Sequence, residues 1–272
     1  MIAVPEPVIE HLAVVRGAGE SLADLAVDCA RTVEAGDVGA VVAATFSNPD
    51  RFPSLAVRVA GELGLARNVP AFDLQLACSA FPYGVLVATQ LSASLSRPVL
   101  LIDGDVQTPL VDASDHATGR IFSDACTAAV VRAGDAGGRF DFLSRYDTAL
   151  SCPAGGPIRM DGFKVFTFVA TEVSAMLRSF LADERDDSFL FAPHQANPYM
   201  IRQLADALDL RDRLLTVPED VLNPGSCSVP MTLACNAGRV RGRRVLIAGF
   251  GAGYSAGVGF VRVGSDCRIA GV

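Results

Sequence analysis

One cysteine, Cys78, lies where an apolar stretch runs into a turn of small residues and then into a helix-like pattern, AFDLQLACSAFPYGVLVATQLSAS from Ala71. A sulfur at the N-terminus of a helix faces unpaired backbone N–H groups and the positive end of the helix dipole, and both favour the thiolate. A thiolate is a strong nucleophile, so this position predicts covalent catalysis. The alternative is that Cys78 is a small buried hydrophobe, as most cysteines are.

Two later segments supply side chains that such a nucleophile needs. His194 follows an apolar run in FLFAPHQANPYM, and Asn223 begins a small-residue segment in DVLNPGSCSVPMTLA. Taken alone, His194 would be a surface or core group and Asn223 an ordinary turn residue. The other two histidines, His11 and His116, each lie beside an acidic residue, and we assign them no role.

The order of Cys78, His194 and Asn223, in the motifs ACSAF, PHQAN and NPGSCSVP, resembles the β-ketoacyl-acyl carrier protein synthase III family of the thiolase superfamily. The resemblance extends from about residue 10 to Val263, and its motifs stand in the family's order. Further matching motifs are RFPS from Arg51, DGD from Asp103, IFSDACTAAVV from Ile121, MDGFKVF from Met160 and GFGAGYSAGVGFVR from Gly249.

This resemblance implies a decarboxylating condensing enzyme. Cys78 would attack an acyl-CoA or acyl-carrier thioester, with the backbone N–H groups of Cys78 and Ala252 as the oxyanion hole. His194 and Asn223 would donate hydrogen bonds to the oxygen of a malonyl thioester while it loses carbon dioxide and becomes an enolate. The enolate would attack acyl-Cys78 and release a β-ketoacyl product. The resemblance implies no permanently bound cofactor and no metal, because the CoA or phosphopantetheine thioesters are substrates.

Four further residues are expected at the substrate site. Phe52, in RFPS, matches a family phenylalanine that reaches across a homodimer interface to bound the acyl pocket, although a core aromatic that opens a helix would fit equally. Asn197 matches a substrate-channel asparagine. Gly251 and Gly253 lie in the turn GFGAG, which lacks the Lys-Ser/Thr of a phosphate loop.

Composition limits the partners. The chain has 272 residues, a net charge of −7 and 50% hydrophobic residues, without a basic cluster for nucleic acid or an apolar run long enough for a membrane span. The first residues do not resemble a signal peptide, and seven cysteines without a CxxC pair predict reduced thiols. We therefore expect a cytoplasmic protein whose partner is acyl-CoA or an acyl carrier protein. If a carrier docks, Arg120, Arg202 and Arg239 are open candidates.

Helix-like and strand-like stretches alternate along the chain. Helices are predicted over 21–36, 52–65, 79–96, 160–184, 197–210 and 229–240, and strands over 38–46, 69–77, 97–105, 126–134, 188–194, 243–251 and 256–263. Such alternation is typical of α/β proteins with largely parallel strands that are covered on both faces.

The resemblance implies a thiolase-like, five-layered αβαβα fold with two pseudo-duplicated halves. The half at 1–135 would carry the nucleophile, and the half at 136–272 would carry His194 and Asn223. By composition, Gly134 to Gly138 is the expected linker. The tail, Gly264 to Val272, is expected to be loosely attached.

Departures from the family pattern predict a reshaped substrate tunnel. The match begins near His11, so residues 1–8 would replace the family's opening strand in abbreviated form. Tyr199 stands where a basic residue is common, and both Pro224 to Cys227 and Ser255-Ala256 replace the usual residues. Cys227 is expected to line the site. These changes favour a specialised relative with an unusual starter unit or acceptor.

Two other functions use the same residues differently. An acyltransferase or thioesterase would pass the acyl group from Cys78 to an alcohol, an amine or water. A non-catalytic partner subunit of a heterodimeric synthase would need no chemistry at all. The matching Cys, His and Asn motifs argue against the second alternative.

Overall fold

The computed structural model describes residues 1–112, 114–115 and 118–271, so His116 lies outside the described residues. Its helices are α1 Leu22–Thr32, α2 Leu55–Glu62, α3 Ala80–Leu95, α4 Gly162–Phe168, α5 Ser174–Leu181, α6 Pro198–Ala207, α7 Ser228–Cys235 and α8 Ala237–Val240. Its strands are β1 Ile2–Arg16, β2 Ala40–Ala44, β3 Ala71–Leu74, β4 Val99–Asp105, β5 Ala125–Ser144, β6 Leu150–Ser151, β7 Arg159–Met160, β8 Leu190–Pro193, β9 Arg244–Gly251 and β10 Ser255–Ala270.

Side-chain caps set where several predicted helices begin. Ser21 accepts a hydrogen bond from the backbone N–H of the third residue after it, and so do Ser54, Asp161 and Asn197 at the starts of α2, α4 and α6. A π-helical turn at Val169–Val173 joins α4 to α5 and makes the long helix that the sequence predicts.

Eight strands form one sheet in the order β3-β2-β4-β5-β1-β10-β9-β8 in the described part of the chain. β2 runs parallel to β3 and β4, and β8 runs parallel to β9. The long strand β5 is antiparallel to β4, β1 and β10. Because β1, β5 and β10 pair with one another, the strands of the two halves belong to one continuous sheet.

Three clusters of buried apolar side chains fill the spaces between the layers of helices and strands. α1 and α2 pack on one face of β2, β4 and β5. α4, α5 and α6 pack on the outer face of β8, β9 and β10. α3 and α7 lie between the two sets of strands in a third cluster. This is the five-layered αβαβα arrangement that the resemblance implied.

The two halves repeat one unit, a buried helix followed by two antiparallel strands. α3 leads into β4 and β5, and α7 leads through α8 into β9 and β10. Cys78 lies just before α3, and Asn223 lies one 3₁₀ turn, Gly225–Cys227, before α7. The duplication therefore places both residues at the N-terminal ends of equivalent central helices.

The expectation of a linker at Gly134 to Gly138 is wrong, because these residues continue β5. They pair with β1 around a bulge. An ideal Cβ on Gly138 would lie only 3.1 Å from the Cα of Glu6. The glycines are thus typical of a close approach between two backbones, and the boundary at 135/136 falls inside a strand.

The expectation of a loose tail is also wrong. β10 continues to Ala270, and its last residues pair in parallel with β1. Cys267 is buried in the central apolar cluster, and its carbonyl accepts a hydrogen bond from Nε of Arg241 at 2.9 Å. Val272 lies outside the described residues. In the described part of the chain, no helix combines the length and the apolar character that crossing a bilayer requires.

We predict that Cys267→Asp lowers the free energy of unfolding by about 3 kcal/mol, because it buries a carboxyl group among apolar side chains. The matched control is Asp266→Asn at the neighbouring exposed position, which should change stability by no more than about 0.5 kcal/mol. Urea denaturation measures both. Equal stability of the two variants would show that the tail does not pack as described.

Candidate active site

Cys78 lies at the N-terminal end of α3, directly before the cap residue Ser79. The turn is closed by the N–H of Ala80, which donates to the carbonyl of Ala77 at 2.8 Å. The strand-to-helix junction that the sequence predicted is therefore present. Cys78 is only 7% exposed, so its sulfur is reached through cavities and not from an open surface.

The end of β9 packs directly on Cys78. An ideal Cβ on Gly251 would lie 2.9 Å from the Cβ and 3.5 Å from the Sγ of Cys78. Only glycine leaves room for this approach. The contact joins the nucleophile of the first half to a strand of the second half.

His194 follows β8, and its backbone N–H donates to the carbonyl of Ala248 on β9 at 2.7 Å. Its ring meets Phe250 edge to face, with 5.5 Å between the ring centroids. His194 is 2% exposed, and burial lowers the pKa of its imidazole to about 3. The ring is therefore neutral near pH 7 and has one N–H to donate. Its Nδ1 has no partner within the described residues.

Asn223 is held by hydrogen bonds on three of its groups. Its backbone N–H donates to the carbonyl of Ile121 at 2.9 Å, and its carbonyl accepts from the N–H of Ser123 at 3.0 Å and from Nε2 of Gln107 at 2.8 Å. Its side-chain Oδ1 accepts from the N–H of Gly225 at 3.1 Å. Since the amide oxygen is engaged, the amide nitrogen is the group left to donate.

One cavity of about 80 Å³ brings the three predicted residues together. Cys78, His194 and Asn223 all line it. Asn197 and Gly251, which the sequence also placed at the site, line the same cavity. The residues come from both halves of the fold.

Two further cavities adjoin this one. An outer cavity of about 340 Å³ shares Asn197 and Asn223 with it and includes Arg120 and Arg202 in its wall. A larger chamber of about 1000 Å³ also reaches Cys78 and is lined by Ala252 and Gly253. Cys78 therefore lies where a narrow cavity meets a wide one.

The two N–H groups expected to form an oxyanion hole are available. Within the described residues, the N–H groups of Cys78 and Ala252 donate to no acceptor on another residue. The turn that carries Ala252 is fixed by Ser255, whose hydroxyl donates to the Ala252 carbonyl at 2.9 Å and lies 2.6 Å from the hydroxyl of Ser79. The turn after β9 is thus tied to the start of α3.

The expected preference for thiolate is wrong for the resting site. Burial, followed by the nearby charge of Asp105, raises the pKa of the Cys78 thiol to about 12. Loss of solvent disfavours the charged thiolate in this enclosed position. The resting site pairs a neutral thiol with a neutral imidazole.

Two expectations from the sequence remain, one for Phe52 and one for Cys227. Phe52 is 85% exposed, so the alternative of a core aromatic is wrong, and it lines none of the three cavities. Cys227 is fully buried, its thiol donates to the carbonyl of Pro224 at 3.1 Å, and it also lies outside these walls.

Sequence reasoning missed two supporting side chains, Asp105 and Gln107. Asp105 accepts hydrogen bonds from the N–H groups of Phe46 and Ser226, and Gln107 binds the backbone of Asn223. The DGD motif pointed to the neighbourhood of Asp105. Nothing in the sequence distinguished Gln107 from a surface glutamine.

Comparisons with known proteins find similar sequences over most of the chain. A family model described as 3-Oxoacyl-[acyl-carrier-protein (ACP)] synthase III matches residues 72–147, and a model of the C-terminal part of these synthases matches residues 184–263. The Beta-ketoacyl-[acyl-carrier-protein] synthase III of Pseudomonas aeruginosa is 35% identical over 247 residues, which cover 81% of this chain and 74% of that protein.

Solved structures share the fold. A 3-oxoacyl-(acyl-carrier protein) synthase from Burkholderia xenovorans superposes with a TM-score of 0.90 at 21% identity, covering 99% of this chain and 97% of its own. The synthase III from Pseudomonas aeruginosa superposes with a TM-score of 0.87 at 28% identity, covering 95% of this chain and 98% of its own.

We predict that Gly251→Ala slows acylation of Cys78 by a thioester about a hundredfold, because the added methyl group must displace the Cys78 side chain. Intact-mass spectrometry of the protein after timed exposure to an acyl-CoA measures the rate. Gly61→Ala, in α2 with open space around the added methyl group, is the control and should react like the wild type. A normal rate in Gly251→Ala would contradict the close packing.

We also predict the pH dependence of thiol alkylation. Below the pKa of the thiol, the thiolate fraction rises about tenfold per pH unit, so the rate at Cys78 with iodoacetamide should climb from pH 7 to pH 10 without a plateau. Peptide mass spectrometry separates Cys78 from the exposed Cys152, which should react faster at every pH. A plateau below pH 9 would contradict the raised pKa of Cys78.

Proposed function

Since the chain belongs to the 3-oxoacyl-[acyl-carrier-protein] synthase III family and is a condensing enzyme of the acyltransferase type, we propose that its reaction runs through an acyl-Cys78 intermediate. One observation carries the proposal. The thiol of Cys78, the imidazole of His194 and the carboxamide of Asn223 line a single buried cavity. A nucleophile and two hydrogen-bond donors are the groups that a decarboxylative condensation requires.

Acylation comes first. The sulfur of Cys78 attacks the carbonyl carbon of an acyl thioester, and the N–H groups of Cys78 and Ala252 stabilise the oxyanion. The thiol loses its proton and the departing coenzyme thiolate gains one, so the exchange is neutral overall. This neutrality suits a buried thiol whose pKa is raised by burial.

Condensation follows at the same sulfur. A malonyl thioester binds with its carbonyl oxygen near His194 and Asn223, and loss of carbon dioxide leaves an enolate on that oxygen. A neutral imidazole donates one hydrogen bond to it, and the amide nitrogen of Asn223 donates another. The enolate carbon then attacks the carbonyl of acyl-Cys78, the carbon–sulfur bond breaks, and the departing Cys78 thiolate takes up one proton from water to regenerate the thiol. One preorganised donor of this kind contributes about 3–4 kcal/mol to the transition state.

The outer cavity supplies the entrance for the thioester arm. Arg120 and Arg202 are both exposed on its wall, and neither forms an ion pair within the described residues. These two arginines therefore suit the phosphate groups of CoA or of the phosphopantetheine arm of an acyl carrier protein, in contrast to Arg239, which is not in this wall. Among the three arginines that the sequence left open, we favour these two.

A homodimer fits the exposed aromatic residues. Phe52 stands on the surface before α2, and Phe72 is exposed on β3. β3 is the edge strand of the eight-stranded sheet. An edge strand beside exposed aromatic side chains favours pairing with a second copy, which would place Phe52 near the partner's acyl site.

Substitution of the three residues should separate the two steps. We predict that Cys78→Ala abolishes the covalent acyl adduct with acyl-CoA. His194→Ala and Asn223→Ala should still be acylated but should form β-ketoacyl product about 100-fold to 1000-fold more slowly, because each removes one donor to the enolate. Intact-mass spectrometry measures acylation, and carbon dioxide release from malonyl thioester measures condensation.

Cys235→Ala, at a half-buried cysteine that lines none of the three cavities, is the control and should behave as wild type in both assays. An undiminished adduct in Cys78→Ala would refute the nucleophile. Acyl transfer to water or to an added alcohol, without carbon dioxide release by the wild type, would favour a thioesterase or another acyltransferase instead.

A further inference from the structure

The position of Cys78 between two cavities decides where its acyl group lies, if the proposed function holds. Cys78, Phe122 and Leu150 line both the narrow cavity and the larger chamber. His194 and Asn223 line the narrow cavity and do not line the larger chamber, so the malonyl thioester must occupy the side of the narrow cavity. The acyl group on the sulfur of Cys78 then has to occupy the larger chamber.

One buried polar side chain stands in the wall of this chamber. Gln107 lines it and is only 1% exposed, whereas its neighbours Phe46, Leu76 and Ile158 are apolar. A buried carboxamide with an unused polar atom is costly unless something binds it. A ligand in the chamber therefore has to provide a hydrogen-bond partner at one position, Gln107.

Hydrogen bonds fix which way the Gln107 amide faces. Its Nε2 donates to the carbonyl of Ser123 at 2.9 Å and to the carbonyl of Asn223 at 2.8 Å. Its backbone N–H donates to Asp124 at 2.7 Å. Both amide hydrogens are used, so the side chain cannot turn to present them. Its Oε1, an acceptor, has no partner within the described residues.

Several other polar groups in the chamber wall already have partners or are enclosed. Ser255 is bonded to Ser79, and Arg145 forms ion pairs with Asp147 and Glu172. The hydroxyl of Tyr254 lacks a partner in the described residues but is fully enclosed. Gln75, Thr148 and Arg159 also line this wall, but they are exposed and can remain hydrated. The acceptor on Gln107 is thus the buried group in this wall that a ligand can satisfy.

We propose that the larger chamber selects a hydroxyacyl group and that Gln107 accepts a hydrogen bond from its hydroxyl. A plain alkyl chain would displace water from Oε1 and leave the acceptor unsatisfied. A ketone would place one acceptor against another. An ammonium group could donate, but Arg159, which lines the same wall and forms no ion pair within the described residues, disfavours a second cation. The substrate class is therefore an acyl thioester with a hydroxyl on its chain.

Competition for Cys78 tests this selection at the acylation step, which does not use the Asn223 side chain. Wild-type protein is exposed to equal concentrations of butyryl-CoA and of 3-hydroxybutyryl-CoA or 4-hydroxybutyryl-CoA, and intact-mass spectrometry counts the two adducts. We expect at least one hydroxyacyl donor to load about tenfold faster than butyryl-CoA, and acetoacetyl-CoA to load no faster than butyryl-CoA. This comparison needs no variant.

Gln107→Leu should remove the preference, giving a ratio near one or in favour of butyryl-CoA. The ratio within one variant cancels general damage to the site. Gln203→Leu is the matched control, because Gln203 is exposed on α6 and lines none of the three cavities, and it should keep the wild-type ratio.

Two failures are distinguishable. Equal loading of hydroxyacyl and plain acyl donors by the wild type, or an unchanged preference in Gln107→Leu, would overturn the role of Gln107 and leave acyl-Cys78 intact. No adduct from any donor would instead overturn acyl-Cys78 itself, and the selection with it.

Discussion

The contact between the backbone of Gly251 and the side chain of Cys78 is the constraint on which the site depends. It holds the last residue of β9 against the N-terminal end of α3, which belongs to the other half of the fold. His194 is bonded to β9 through Ala248, and Ala252 directly follows Gly251. The imidazole of His194 and the N–H of Ala252 are therefore placed relative to the sulfur by one strand, and an added methyl group at Gly251 would separate them.

Buried polar side chains hold the third member of the site. The loop that carries Asn223 contains Leu222 at φ 58° and ψ −146°, a backbone region that side chains rarely adopt. Gln107 binds the carbonyl of Asn223, and Asp105 binds the N–H of Ser226 a few residues later. Asp105 is bonded at the same time to Thr45 and Phe46 after β2. A strained loop is thus fastened to the first half of the fold by groups that burial would otherwise penalise.

The site combines low reactivity at rest with preorganised donors. Burial keeps Cys78 protonated and His194 neutral, so neither charge has to be solvated in a cavity of about 80 Å³. In the proposed reaction, charge develops only while substrate oxygens become negative, and the donors that would stabilise it are already in place. In the larger chamber, an acyl chain that covers the buried Gln107 would have to replace the hydrogen bond that water can give to its Oε1.

The sequence by itself determined most of the helices and strands from α1 onward and the turn that carries Cys78, because these follow from local periodicity and from caps such as Ser21. It did not predict β1, Ile2–Arg16, at its full length, since only an abbreviated strand over residues 1–8 was expected. It also singled out His194 and Asn223 as candidate site residues, through their motifs. Only the tertiary structure decided that Gly134 to Gly138 and the tail belong to strands, since their partners lie far away in the chain. It also decided the protonation of Cys78 and the orientation of Gln107, because burial and hydrogen-bond partners are set by segments that meet only in the folded protein.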